Sequence, residues 1–200
     1  MKEILKKIND MSSKERRNIP YNELVSIVNG LTSDEIEELS NIIGYPVFTR
    51  MCMGELRHKF VLLQDGAAAI IVNDLGQILL QRRTDNDKWG LPGGCQELGE
   101  RFEETIIREV KEETNLDVKE ENLQLIAVVS GDIRKHSYPN GDIVYNNTVF
   151  YLIKNYDGEL SLNEESKELK FFDIKDIPDE QFQLDPDLVK IYLDYINKIA

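Results

Sequence analysis

The run GGCQELGERFEETIIREVKEETNL, from Gly93 to Leu116, constrains this chain more than any other stretch. Between Phe102 and Thr114 it holds good helix formers and neither Pro nor Gly, which predicts a helix over 102–114. At about 100° per residue, Phe102, Ile106, Ile107 and Val110 share a face that must pack on a core. Glu113 projects into the same arc, between Phe102 and Ile106, and Glu109 and Glu112 line its edge. A carboxylate within an apolar stripe is costly unless something compensates it. These three acids are also spaced i, i+3, i+4, so their Cβ atoms lie roughly 5–6 Å apart and the charges repel. Helix geometry leaves two readings open. One is a bound divalent cation, for which all-oxygen carboxylate donors suit Mg²⁺ or Mn²⁺. The other is a solvated acidic face, as charge runs usually are.

The order of residues narrows the choice. Gly94 is followed by five residues, then Glu100, then seven residues, then Arg108-Glu109-Val110-Lys111-Glu112-Glu113-Thr114-Asn115-Leu116. This resembles the signature box of the Nudix hydrolases. Every fixed position matches except the last glycine, which is Asn115 here. A helix C-terminus often needs a residue with φ > 0, and Asn is the usual second choice after Gly. The departure therefore puts no metal ligand in doubt.

The resemblance implies an α/β fold: an α/β/α sandwich with a mixed β-sheet, to which a small N-terminal helical extension is added. It implies Mg²⁺-dependent hydrolysis of a diphosphate linked to a nucleoside or similar moiety, such as ADP-ribose, with Mn²⁺ as an alternative ion. The metal would be held by Glu109, Glu112, Glu113 and the Gly93 carbonyl. Glu109 or a loop glutamate, Glu165, would orient or deprotonate the water; the alternative for Glu165 is a solvated acidic loop. Glu100 and Arg108 would brace the loop against the helix rather than touch the metal. Arg82 would reach phosphate, for which a guanidinium is suited; the alternative is a surface ion pair.

Charge and hydropathy exclude several other classes. The formal net charge is −13. Residues 1–30 carry six Lys or Arg against four Asp or Glu, which leaves −15 for the rest. So acidic a body argues against binding the phosphate backbone of long nucleic acids. It is compatible with a small phosphorylated nucleotide-type substrate that arrives with its metal. No run of 18 or more apolar residues occurs, so no membrane span is expected. The N-terminus lacks an apolar secretory core, and Cys52 and Cys95 form no metal spacing, so a reducing, cytoplasmic setting is expected. Many members of the family are dimers, and a homodimer is an open expectation.

Three segments are predicted: a helical extension over 1–45, a connector over 46–60 and the hydrolase domain over 61–200. In the first, Ile4, Leu5 and Ile8 fall at helical spacing. Ser12 and Ser13 offer a cap for a following turn, and Tyr21–Asn29 suggests a second short helix. Thr32-Ser33-Asp34-Glu35 has the pattern of a capping box before Ile36, Leu39, Ile42 and Ile43. The extension reads as structural packing, with a dimer arm or partner-binding module as alternatives. His58, between two basic residues, reads as surface.

Beyond it, strands are expected over 66–73, 77–83, 123–130, 143–154 and 169–172. The first two are joined by Asp74-Leu75-Gly76 as a hairpin-like entry into the sheet. Along 143–154, Tyr145, Val149, Tyr151 and Ile153 alternate with Phe150 and Leu152. Asn140-Gly141 signals a hairpin turn. Trp89 reads as core or hinge packing, with base stacking as the alternative. His136, Tyr138 and Tyr145 are candidates for contacting a base or sugar, against plain packing. Asp185-Pro186 opens a last helix with Val189, Ile191, Tyr192, Tyr195 and Ile196 on its apolar side. The functional alternative is a non-catalytic nucleotide-sensing module with the N-terminal helices as output, against which the complete set of box carboxylates argues. A third class, isomerases of isoprenoid diphosphates, shares the fold but has no second feature here in its favour.

Overall fold

The computed structural model describes residues 2–53, 61–137, 143–178 and 192–195. The chain divides into two compact units: Met1–Gln64 with Glu97–Gly99 and Lys135–Tyr145, and Asp65–Gln96 with Glu100–Arg134 and Asn146–Ala200. Among the described residues, no helix is long and apolar enough to cross a membrane.

In the first unit, short helices follow the expected punctuation: α1 (Lys2–Asn9), α2 (Ser13–Arg17), α3 (Tyr21–Val28), α4 (Ser33–Ile43) and α5 (Tyr45–Met53). Ser12 caps α2 and Thr32 caps α4, each in a reciprocal capping box with the glutamate three residues on, Glu15 and Glu35. Their apolar stripes bury Leu5, Ile8, Leu24, Leu39, Ile43 and Phe48 together. Arg16 donates from Nε to Met11 O and from its terminal nitrogen to Ile42 O, satisfying a carbonyl that α4 leaves open at its end. Residues 45–53 form one helix, of which 46–53 fall within the expected connector. Pro46 lies in the first turn, where a missing N–H costs nothing.

The second unit is built on two sheets. The larger has the order β4-β1-β7-β5, from β1 (Val61–Ile71), β4 (Gly93–Cys95), β5 (Leu123–Val129) and β7 (Ile143–Ile153). The smaller has the order β3-β2-β8, from β2 (Ile78–Arg83), β3 (Trp89–Gly90) and β8 (Ser166–Phe172). The expected hairpin between the first two strands is thus a corner between sheets. Val72 and Ile78 form only an isolated bridge, and β2 takes its partners from β3 and β8.

Alternation along β1 and β7 sends side chains into two cores. On one side Ala67, Ala69, Ile71, Val149, Tyr151 and Ile153 pack with Ile106 and Val110 of α6 (Phe102–Thr114). On the other side Ala68, Ile70, Phe150 and Leu152 pack with Trp89 and Tyr192, the latter in the helical residues 192–195. Trp89 meets Phe172 edge to face at 4.8 Å between centroids, the core role rather than an exposed stacking platform.

In the first unit, β6 (Lys135–Ser137) pairs antiparallel with Ile143, Val144 and Tyr145. The ladder is the one that the Asn140-Gly141 signal anticipates. The turn itself, Tyr138, the His136 side chain, His58, the Asp185-Pro186 cap, Val189, Ile191 and Ile196 lie outside the described residues.

Candidate active site

The box helix α6 spans Phe102–Thr114, the predicted range, and ends at Asn115 in the left-handed region with φ 63°. The Asn115 side chain adds what glycine lacks, donating to Glu159 O at 3.0 Å. Ile106, Val110 and Glu113 all point inward; Glu113 is only 3% exposed.

Glu113 accepts from the Gly93 amide at 2.7 Å and from the Gln81 side chain. Burial pushes its carboxyl well above the ordinary range and the Glu109 charge adds to that; the Gln81 and Gly93 bonds and the Arg83 charge act the other way. Glu109 is raised for the same main reason, burial. The Arg108 charge and hydrogen bond counter it, and the charges of Glu112 and Glu165 add to it. Two acids one helical turn apart are thus held where each favours its protonated form.

The glycines make this approach possible. Gly93 has φ 149°, and a Cβ there would strike Ala67 O and lie 2.7 Å from Ala68 Cα in β1. A Cβ on Gly94 would run into the Glu109 carboxylate. The backbone of β4 therefore passes directly over the acidic pair.

Around the pair stands a frame. Arg108 Nε donates to Glu100 Oε1 at 2.7 Å, and its terminal nitrogens reach Glu100 Oε2 at 3.0 Å, Cys95 O at 3.1 Å and Glu109 at 2.8 Å. Glu100 also accepts from Thr105 Oγ1 at 2.8 Å. Glu112 is 57% exposed and turns toward Arg108, 3.4 Å away.

Glu165 sits in a loop pinned on both sides. Its amide donates to Asn163 Oδ1 at 3.0 Å, and Asn163 Nδ2 donates to Glu112 O at 3.0 Å. Its carbonyl accepts from the Thr84 amide at 2.9 Å. Its charge acts on both Glu109 and Arg83, so it belongs to the same cluster.

The two arginines that close β2 part company. Arg82, the residue expected at phosphate, pairs with Asp87 at 2.9 Å, and Asp87 also receives Lys167. Arg83 is the arginine whose charge acts on Glu113 and Glu165. Burial works against its charge, but the Asp85 hydrogen bond with the charges of Asp85, Glu113 and Glu165 outweighs burial, raising its pKa. Opposite them β8 carries one extra residue: Arg82 faces Glu168 and Arg83 faces Ser166, with Lys167 between. Two contributors to the cluster, Gln81 and Asn163, carry no site expectation from the sequence, and Arg83 closes the strand beside Arg82 without being the one assigned to phosphate. The available signal was Gln81, a polar residue closing the apolar run Ile78-Leu79-Leu80 and sharing a strand face with residue 83.

Among the described residues, no group of three or more His, Cys, Asp or Glu converges as a ready metal site. Glu109 and Glu113 nevertheless fit a hard cation as its core donors. Both are oxygen ligands, both hold protons more tightly than usual, and an ion would replace those protons. Gly93 is tied to the pair through its amide, and Glu112 lies at the rim beside Arg108.

A NUDIX domain is matched over residues 62–195. An ADP-ribose pyrophosphatase of Methanocaldococcus jannaschii is 34% identical over 144 residues, covering 70% of this chain and 78% of that protein. A crystal structure of a MutT NUDIX hydrolase from Burkholderia pseudomallei is 28% identical with a TM-score of 0.53, over 67% of this chain and 98% of that one. A MutT/nudix family protein from Enterococcus faecalis shares the fold at 19% identity and a TM-score of 0.55, over 84% of this chain and 74% of that one.

Proposed function

The chain belongs to the Nudix hydrolases, pyrophosphohydrolases acting on acid anhydrides, and from that premise we propose that it cleaves the diphosphate of a nucleoside diphosphate joined to a second moiety, with ADP-ribose as the first candidate. The observation that carries the reading is the buried Glu109–Glu113 pair under the Gly93-Gly94 backbone, with Arg83 and Glu165 acting on it. The Methanocaldococcus jannaschii relative supports the choice of ADP-ribose.

Hydrolysis of such a bond needs negative charge offset on the phosphoryl oxygens, a water placed in line and a stabilised leaving phosphate. Water oxygen bonds to one phosphorus while the bridging P–O bond breaks, leaving a nucleoside monophosphate and a second phosphate monoester. Glu109 and Glu113 would hold Mg²⁺, which supplies charge neutralisation, with Glu112 and the Gly93 carbonyl as further candidate donors. Arg83 takes a non-bridging oxygen, the role that the family resemblance led us to expect of Arg82. Glu165 or Glu109 takes up the proton of the attacking water. The bonds of Thr84 and Asn163 keep Glu165 at a set distance from the helix.

The test is release of nucleoside monophosphate from a panel of nucleoside diphosphate derivatives, with and without Mg²⁺. ADP-ribose is expected to be cleaved only with the ion. Tight binding without cleavage of any panel member would favour a sensing role. Within the same assay Arg83→Ala is expected to lower kcat/KM by about 10- to 100-fold. Arg82→Ala should change it far less; the reverse ranking would return the phosphate role to Arg82.

A further inference from the structure

Gln81 is fully buried in the middle strand of the smaller sheet, opposite Gly90 and Leu169. A buried carboxamide at such a place is costly unless its polar atoms are matched. Its Oε1 accepts from Ser166 Oγ at 2.7 Å, and Ser166 is itself only 4% exposed. With Oε1 committed to the hydroxyl, the NH₂ group is the part of Gln81 left to donate to the Glu113 carboxylate, and it also reaches Leu91 O at 3.4 Å. Ser166 lies beside Glu165 and just past the shift of register in β8. One buried chain, Ser166–Gln81–Glu113, therefore links the loop of Glu165 to the carboxylate of the box helix.

We propose that Gln81, oriented by Ser166, is a positioning residue that fixes the Glu113 carboxylate for its cation. The proposal rests on the metal reading given above. An amide donor suits the task for an electrostatic reason. It shares the load of the buried anion with the Gly93 amide but brings no positive charge that would repel an incoming cation. Arg108 beside Glu109 does bring one. Gln81 and Gly93 arrive from different sheets, so between them they restrict rotation of the carboxylate. Ser166 prevents the carboxamide from turning over, which would set its carbonyl oxygen against the acid.

The test reads Mn²⁺ binding to the full chain by electron paramagnetic resonance, without substrate. Gln81→Leu is expected to weaken binding by roughly 10- to 100-fold. Ser166→Ala should weaken it less, and Ser166→Thr, which keeps the hydroxyl, should restore it. The double variant should bind no more weakly than Gln81→Leu, because Ser166 acts through Gln81. Tyr151→Phe serves as the structural control. It removes the 3.0 Å bond to Glu103 and should lower Tm without moving Mn²⁺ affinity. Affinity of Gln81→Leu within about twofold of the parent, with intact near-ultraviolet circular dichroism, would overturn the proposal, as would losses that multiply in the double variant. Should Gln81→Leu fail to fold, the Ser166→Ala and Ser166→Thr pair decides: equal affinities overturn it. Absence of Mn²⁺ binding by the parent chain would instead sink the metal reading itself.

Discussion

In the N-terminal helices the acids that close helix starts, Glu15 and Glu35, bond to Ser12 and Thr32 at the surface, over a core made of Leu, Ile and Phe. Among the described residues of 2–53, Ser40 is the one buried polar side chain, and it bonds back to Glu37 O. In α6 the same kind of amphipathic helix buries Thr105, Glu113 and Thr114 within its apolar face. Hydrogen bonding to Ser12 lowers the Glu15 carboxyl, whereas burial raises that of Glu113. Where a helix serves only to fill a core, its acids end where their charge is comfortable. Where it is shaped for chemistry, the rule is broken at one position and the surroundings are arranged to tolerate it.

The comparison breaks most visibly at Glu113. Glu113→Gln is expected to reduce turnover by about 10²- to 10⁴-fold. The metal-free variant should be at least as stable as the parent at neutral pH, since the cost of burying an acid that must take up a proton on folding is gone. Loss of activity accompanied by a large fall in Tm would mean that Glu113 is structural, like the apolar residues around it.

The pH dependence comes next. The folded values of Glu109 and Glu113 lie above 4.5, at about 7 and about 8, so the folded chain keeps protons that the unfolded chain has released. Without divalent metal, their contribution to stability is full below pH 4.5 and is lost as pH rises toward about 8. The swing is on the order of a few kcal/mol. Mg²⁺ should offset it at the upper end, and Glu113→Gln should flatten it. Urea unfolding at pH 5 and pH 8, with and without Mg²⁺, measures all three. Glu15 has the opposite sign: its lowered value gives a contribution present above 4.5 and lost on acidification.

The smallest expected effect sharpens the other side of the contrast. Thr32→Ala removes the cap of α4 and should cost about 1 kcal/mol of stability. Mn²⁺ affinity should stay at the parent value.

Much of this was legible in the residues. The span of α6, the αL cap at Asn115, the cap at Ser12, the capping box at Thr32 and the alternation of β7 all arise from local rules that act within a few residues. The partition of β1 and β2 between two sheets was not legible. The turn from Asn73 to Gln77 reads as a hairpin, and its hydrogen bonds are those of one, with Asn73 N donating to Gln77 O at 3.1 Å. What separates the sheets is competition for partners more than 80 residues away in β8, which a local pattern does not carry. The separate surroundings of Arg82, paired with Asp87, and Arg83, within reach of the charges of Glu113 and Glu165, were not legible either, because Glu113 and Glu165 are brought to Arg83 from distant parts of the chain. The helix over 45–53 was obscured by Pro46, which marks a boundary but is tolerated inside a first turn.

Residues 159–163 do more than connect two strands. Glu159 O takes the Asn115 side chain, the Ser161 amide reaches Thr114 O, and Asn163 reaches Glu112 O. The end of the box helix is thus splinted by the segment that leads into Glu165, so the spacing between the two sets of acids is a ruler cut into the chain. One added residue between Ser161 and Glu165 would throw the measure out.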